Sequence, residues 1–290
     1  MEKISKAQVK FVRSLQLKKV RDAEGLFVAE GEKCVEELRR GFELVYYIQT
    51  AEKQGQEVAT LIATPAEIEQ MSSLKTPQGV IGVFKKNGGL MNGDAAKPLN
   101  DGMMQDDLIL VLDGVQDPGN LGTIIRTCDW FGVHEIVCSK DTADCYNPKV
   151  VQATMGALAR VKVRYVDLVE WMSPLRLPHK GGEKVRIYGT LLDGKNMYEV
   201  IGNGGLMNGD ASLNDGLING DASLNGGMIP KVIIMGNEGN GISAEVRKFI
   251  TDPIYIPTYP NKETSDVVES LNVSIATAIV LAEFRRPSIP

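Results

Sequence analysis

Three polar stretches carry the residues that could do chemistry. They are Asp117-Pro118-Gly119-Asn120-Leu121-Gly122 with Arg126 and Asp129 following, Gly236-Asn237-Glu238-Gly239-Asn240-Gly241, and the run from Ile256 to Asn272. Amide, carboxylate, hydroxyl and guanidinium groups beside glycines suit a ligand held close to the backbone, because glycine has no Cβ to hold it off. The third stretch ends in Glu269-Ser270-Leu271-Asn272 at a helix start, which places three hydrogen-bonding side chains where backbone N–H groups are unpaired. That is either a ligand site or a plain helix cap at Ser270. No His or Cys stands in the three stretches, and His134 and His179 have no recognisable partner pattern. GxSxG, GxxxxGK[ST] and HExxH are missing, and the glycines at 236, 239 and 241 do not follow GxGxxG. Serine hydrolase, P-loop, zinc-peptidase and ordinary dinucleotide-fold chemistry are thereby set aside.

Polar loops of this kind belong beyond the carboxyl ends of parallel strands. The apolar run Leu108–Leu112 predicts such a strand, buried on both faces, with a helix over Leu121–Phe131 after the first loop. Strand Glu135–Cys138, helix Pro148–Ala159, strands Val161–Val163, Arg186–Thr190 and Val232–Met235, and strand Ile254–Ile256 complete an α/β domain with a mainly parallel sheet. Leu271, Ile275, Ala278, Ile279 and Ala282 recur at helical spacing and predict a last helix, starting near Ser270 and buried on most of its surface.

Upstream, residues 5–21 read as one basic helix with Val9, Val12 and Leu15 to Leu17 inward. Strand Leu26–Ala29, a helix from about Gly31 to Arg40, Leu44–Ile48, Leu61–Ala63, Ala66–Met71 and Val80–Phe84 make a compact α/β domain over residues 1–84. Residues 85–107 read as a linker, and 108–290 as a second domain with an insertion over 202–229. Both interruptions carry one repeat: NGGLMNGDA stands at 87–95 and again at 203–211, and LMNGDASLNDG at 206–216 is followed by LINGDASLNGG. So much Gly, Asn and Asp favours turns over a core and predicts flexible inserts. Asp221, Ser223, Asn225 and Gly226 imitate half an EF-hand loop, but Val232 stands where a bidentate Glu is needed. No metal is expected.

The chain has 290 residues, 43% hydrophobic and 24% charged, with a net charge of −5. Residues 87–107 and 202–229 hold seven Asp against Lys97, a net −6, which leaves +1 for the remainder. The first 21 residues carry Lys3, Lys6, Lys10, Arg13, Lys18, Lys19 and Arg21 against Glu2. A local basic patch can hold phosphates although the whole chain is acidic, the plainer alternative being a solvated helix face. Cys34, Cys128, Cys138 and Cys145 form no CxxC pair and read as small buried apolar residues. No apolar run reaches the ~20 residues of a membrane helix, and the N-terminal stretch has no signal-peptide core, so a cytoplasmic protein is expected.

NLGTIIRTCDWFGV at 120–133 resembles the N-x-G-x-x-x-R motif of the SpoU or TrmH family of RNA ribose 2′-O-methyltransferases. IIMGNEGNGIS resembles that family's second motif and IPTYPNKETSDVVESLNVSIATAIVLAEF its third, while QATMGALARVKV is similar to the segment between the first two. The resemblance covers Leu108 to Phe284 apart from the second insertion, and residues 1–84 look like the family's L30e-like substrate-binding domain. It implies a deep trefoil knot, S-adenosylmethionine bound in a bent shape, and a homodimer with the active site near the subunit interface. Asn120, Arg126, Glu238, Ser270 and Asn272 would be catalytic, and Met235, Gly236, Asn237, Gly239, Ile256 and Leu271 would hold the cofactor. Lys6, Lys10, Arg13, Lys18 and Lys19 would meet RNA, ribosomal RNA being favoured over transfer RNA. A ribose hydroxyl must lose its proton as it attacks, so a base or a cation is needed, and Arg126 is the candidate. The alternative for Arg126 is a salt bridge to Asp129 or Glu238. The alternatives for the chain are a non-catalytic RNA-binding module of the same fold and a knotted methyltransferase acting on a base.

Overall fold

A computed structural model describes residues 2–51, 60–86, 108–177, 184–204, 231–259 and 270–286. The first copy of the repeat, the second copy from residue 205 on, the half EF-hand imitation apart from Val232, and His179 lie outside the described residues. In chain order the elements are β1 (Glu2–Lys3), α1 (Lys6–Ser14), α2 (Lys18–Glu24), β2 (Leu26–Glu30), α3 (Glu32–Leu38), β3 (Leu44–Thr50), β4 (Thr60–Ala63), α4 (Pro65–Met71) and β5 (Val80–Lys85). There follow β6 (Leu108–Asp113), α5 (Pro118–Trp130), β7 (Glu135–Ser139), α6 (Pro148–Thr154), β8 (Lys162–Val166) and α7 (Leu168–Met172). The last are β9 (Ile187–Asn196), α8 (Met197–Gly204), β10 (Lys231–Gly236), α9 (Ala244–Arg247), β11 (Asp252–Tyr255) and α10 (Val273–Arg285).

Two sheets organise these elements, one ordered β1-β4-β3-β5-β2 and the other β11-β9-β10-β6-β7-β8. The first is mixed, with β5 antiparallel to both β2 and β3. In the second, β10 runs parallel to β6 and to β9, and β11 parallel to β9, as the unbroken apolar strands require. By contacts the chain forms two compact units. The first takes residues 1–95, 115–136 and 141–165, and the second 96–114, 137–140 and 166–290.

Within the first unit the N-terminal sheet and the segments carrying α5 and α6 are packed together. Phe27 meets Phe42 and Tyr146 at ring-centroid distances of 5.0 and 4.8 Å. Arg21, 1% exposed, pairs with Asp144 at 2.6 Å. Its guanidinium also donates to the carbonyls of Leu15 (3.0 Å) and Gln16 (2.7 Å), which end α1. This corrects the single helix expected over 5–21: Arg21 turns inward to cap α1, the chain breaks there, and Leu17 is left 64% exposed. The helix expected over Pro148–Ala159 also stops early. Met155 (φ 51°) and Gly156 (φ 92°) are left-handed, and a Cβ on Gly156 would lie 2.3 Å from that of Glu37.

The core of the second unit gathers Ile109, Val111, Val137, Val232 and Ile234 from the strands with Trp171, Met172 and Val246 from its helices and Phe249 from the turn after α9. β9 extends to Asn196, beyond the expected Thr190, because its later residues pair with β11 at Lys195↔Ile254 and Asn196↔Tyr255.

Candidate active site

The polar loop after β10 is built from its own backbone. β10 pairs with β6 through Gly236↔Asp113, whereas its register with β9 ends at Ile234↔Gly189, so Met235 and Gly236 run past the last β9 partner. Asn237 and Gly241 exchange backbone hydrogen bonds of 2.9 Å in both directions. The Asn237 side chain accepts from the N–H groups of Gly239 (2.9 Å) and Asn240 (3.0 Å) and donates to the Gly114 carbonyl (2.6 Å). A Cβ at Gly236 would lie 2.3 to 2.6 Å from backbone atoms of Gly241 and Ile242, and Gly241 holds φ +67°, so both positions require glycine. The buried Asp113 fixes the far side by accepting from Ser243 N at 2.7 Å. Glu238 projects from the loop and is exposed. Asn237, expected at the cofactor, thus has its side chain engaged in holding the loop, and Gly239 lies open at the tip.

Ile256 follows β11, whose first residue is held by Arg186 at 2.5 Å from Asp252. Partial burial raises the Asp252 carboxyl, but hydrogen bonds from Arg186 and Thr251 outweigh it and hold the group below its ordinary value. Residues 260–269 lie outside the description, and the chain is described again from Ser270. The helix cap is Asn272, not Ser270: its Oδ1 accepts from Ser274 N (2.9 Å) and Ile275 N (3.4 Å) and from the Ser274 hydroxyl (2.6 Å). Ser and Asn are comparable caps, and Asn272 wins because Ser274 offers it both an N–H and a hydroxyl. The later start also corrects the helix's buried face. Val273, Ser274, Thr277, Val280, Leu281 and Glu283 point inward, while Ile275 is 52% exposed and Leu271 50%.

In the first unit, Asp117 caps α5 by accepting from Asn120 N at 2.8 Å, with Pro118 in the first turn. Gly122 lets α6 approach: a Cβ there would stand 2.5 Å from the Cβ of Ala153 and 2.8 Å from the Val150 carbonyl. Leu121, Ile124, Ile125 and Cys128 face inward, and Gly119, Thr123, Arg126 and Trp130 are exposed. Asp129 is held by Arg160 through contacts of 2.9, 3.1 and 2.7 Å, and Arg160 also reaches Glu37 at 2.8 Å. Those hydrogen bonds raise the guanidinium of Arg160 against the smaller effect of burial. The expected alternative, an Arg126–Asp129 bridge, is therefore corrected: Asp129 belongs to Arg160, and Arg126 makes no hydrogen bond or ion pair among the described residues. The sequence does not reveal this role of Arg160, since nothing in its spacing announces a partner 31 positions away. All four cysteines are free and buried, and burial pushes the thiols of Cys34 and Cys145 up to about 11 and about 12. Among the described residues no group of three or more metal-binding side chains occurs.

Lys6, Lys10, Arg13, Lys18 and Lys19 are all exposed in the first unit. Lys6, Lys10 and Arg13 recur along one face of α1, whereas Lys18 pairs with Asp22 at 2.9 Å. Arg13, Gln16, Glu69 and Gln70 line an open depression of ≈ 380 Å³.

Residues 107–282 match the SpoU rRNA Methylase family and residues 6–82 match the MRM3-like substrate binding domain. The 23S rRNA (guanosine(2553)-2′-O)-methyltransferase RlmP of Bacillus subtilis is 26% identical, over 98% of each chain. A solved structure from Porphyromonas gingivalis, assigned to the TrmH family, is 34% identical with a TM-score of 0.73 and covers 98% of this chain and 99% of its own. An AdoMet-bound rRNA methyltransferase from Sinorhizobium meliloti is 25% identical with a TM-score of 0.71, covering 100% of this chain and 98% of its own. With 107–282 matched, the chain belongs to the SpoU rRNA methylase family of S-adenosylmethionine-dependent RNA 2′-O-ribose methyltransferases.

Proposed function

We propose that this protein methylates a ribose 2′-hydroxyl of ribosomal RNA, with Arg126 acting on the hydroxyl. The observation that carries the assignment is the exposed guanidinium of Arg126, unengaged among the described residues while the neighbouring Asp129 is held by Arg160. A guanidinium remains protonated at physiological pH, so Arg126 serves as a fixed cation that stabilises the developing alkoxide, and the proton leaves to solvent. Asn120, Glu238 and Ser270 are assigned to positioning the RNA, and Asn272 to fixing the start of α10.

S-adenosylmethionine supplies an electrophilic methyl group on a sulfonium. The donor set of the second unit fits it. The glycine loop after Met235 leaves Gly239 exposed, and apart from strand pairing no backbone–backbone hydrogen bond among the described residues uses Ile256 or Leu271. Backbone N–H and C=O groups with an exposed leucine suit an uncharged purine, which needs donors, acceptors and an apolar wall. Met235, Gly236, Gly239, Ile256 and Leu271 would hold the cofactor, and Asn237 would brace the loop.

We assign residues 1–84 to RNA substrate binding, 85–107 to a linker, and 108–290 to a knotted methyltransferase domain with an insertion over 202–229. Lys6, Lys10 and Arg13 would contact phosphates. The half-exposed Leu271 and Ile275, with Ala278, Ile279 and Ala282 at helical spacing after them, support a homodimer through α10. No helix among the described residues is long and apolar enough to cross a membrane, and a cytoplasmic location suits a ribosomal RNA substrate. Nucleoside mass spectrometry of ribosomal RNA from cells with and without the gene tests the reading. Loss of one 2′-O-methylated nucleoside is expected, and an unchanged 2′-O-methyl inventory would overturn it.

A further inference from the structure

Trp130 ends α5 with 85% of its surface exposed, whereas Trp171, the chain's other tryptophan, is 8% exposed in the core. An indole left that far in water adds little to its unit's core. Singly exposed apolar residues are ordinary, so exposure alone assigns nothing. Position does: Trp130 stands four residues after Arg126, and side chains at that spacing on a helix are neighbours about 5–6 Å apart at their Cβ atoms. Gly119, Thr123, Arg126 and Trp130 all lie on the exposed side of α5. The one acid between the two, Asp129, is held by Arg160 at 2.7 Å, so no unpaired carboxylate faces an approaching phosphate there. Thr123 and Thr127 donate their hydroxyls to α5's own carbonyls at 2.9 and 2.8 Å. The exposed side of the helix therefore presents a cation and, one turn on, a flat aromatic face.

We propose that Trp130 is a stacking platform for an RNA base flanking the ribose that Arg126 addresses. The inference rests on the methyltransferase reading above and adds a residue that fixes the register of the RNA. Aromatic side chains bind unpaired bases through the π-face that every base has, and such a contact is lost on truncation to alanine. The prediction is that the nucleotide beside the target is single-stranded when bound.

The test uses the full chain, protein-free ribosomal RNA and poly(U). With two tryptophans, acrylamide quenching separates exposed Trp130 from buried Trp171. Saturating RNA should shield the accessible component. Trp130→Ala should weaken RNA binding roughly 5- to 150-fold, and Trp130→Phe should restore most of it. Unchanged acrylamide access with RNA bound would overturn the inference, as would a Trp130→Ala protein that loses its oligomeric state, which would mark a subunit contact. If the wild type binds and methylates the RNA and Trp130→Ala matches it, only the stacking role falls. A wild type that neither binds nor methylates ribosomal RNA would remove the functional reading as well.

Discussion

Replacing Gly236 by alanine should damage the candidate cofactor loop while leaving its chemistry intact. The added methyl would meet Gly241 C, Ile242 N and Gly241 O at 2.3, 2.4 and 2.6 Å, all of them backbone. Ordinary contact begins near 3.4 Å, so the facing strand of the loop must retreat by about 1 Å and no side-chain rotation can absorb it. Overpacking of this kind costs about 1–3 kcal/mol, and weakening the reciprocal Asn237–Gly241 hydrogen bonds adds about 1 kcal/mol. A total of about 2–4 kcal/mol should lower the urea midpoint by roughly 1 M or more. S-adenosylmethionine affinity by calorimetry should fall at least about tenfold, since a 1.4 kcal/mol loss suffices. Gly239→Ala is the matched control for stability alone, because its Cβ would meet only Asn237 Oδ1 at 3.5 Å. Stability equal to wild type in Gly236→Ala, or equal stability losses in the two variants, would refute the packing argument.

Truncating Arg21 to alanine leaves the buried Asp144 carboxylate unpaired and strips the end of α1, so a loss of about 3–5 kcal/mol is expected; a change under about 1 kcal/mol would contradict it. Asp252 titrates below its ordinary value when folded, so its contribution is complete above about pH 4 and is lost as pH falls through the folded value. Asp252→Asn should flatten the acid side of the stability profile below about pH 4, and an unchanged profile would remove the Arg186–Asp252 pair from the account. Ile275→Glu places a charge on the exposed apolar side of α10 and should yield monomers in sedimentation velocity; a persistent dimer would move the proposed interface elsewhere.

The strands of the parallel sheet were legible because Leu108–Leu112 and Val232–Met235 are apolar without a break, and their ends placed the polar loops. Gly236 and Gly241 were legible as glycines needed for close approach, although what approaches is the loop's own backbone as well as any ligand. Two features depend on side-chain contacts distant in sequence, and a third on what covers a helix face. Arg21 counted as part of a basic run but folds inward to Asp144, 123 positions away, and so splits the first helix. Asp129 could have paired with Arg126 by spacing, yet the bidentate fork of Arg160 takes it. The helical spacing of Leu271, Ile275 and Ala278 predicts a buried stripe; periodicity locates such a stripe but does not say whether the chain itself covers it.

The most direct test of the central claim is methyl transfer by Arg126→Ala, followed with radiolabelled S-adenosylmethionine and ribosomal RNA alongside calorimetry with the cofactor alone. Removing a preorganised charge from a reacting oxygen costs about 10²–10³ in rate. A loss of that size or larger is expected, with cofactor affinity within about twofold of wild type, because Arg126 is assigned to the hydroxyl. Wild-type turnover in Arg126→Ala would contradict it, as would a turnover loss matched by an equal loss of cofactor binding.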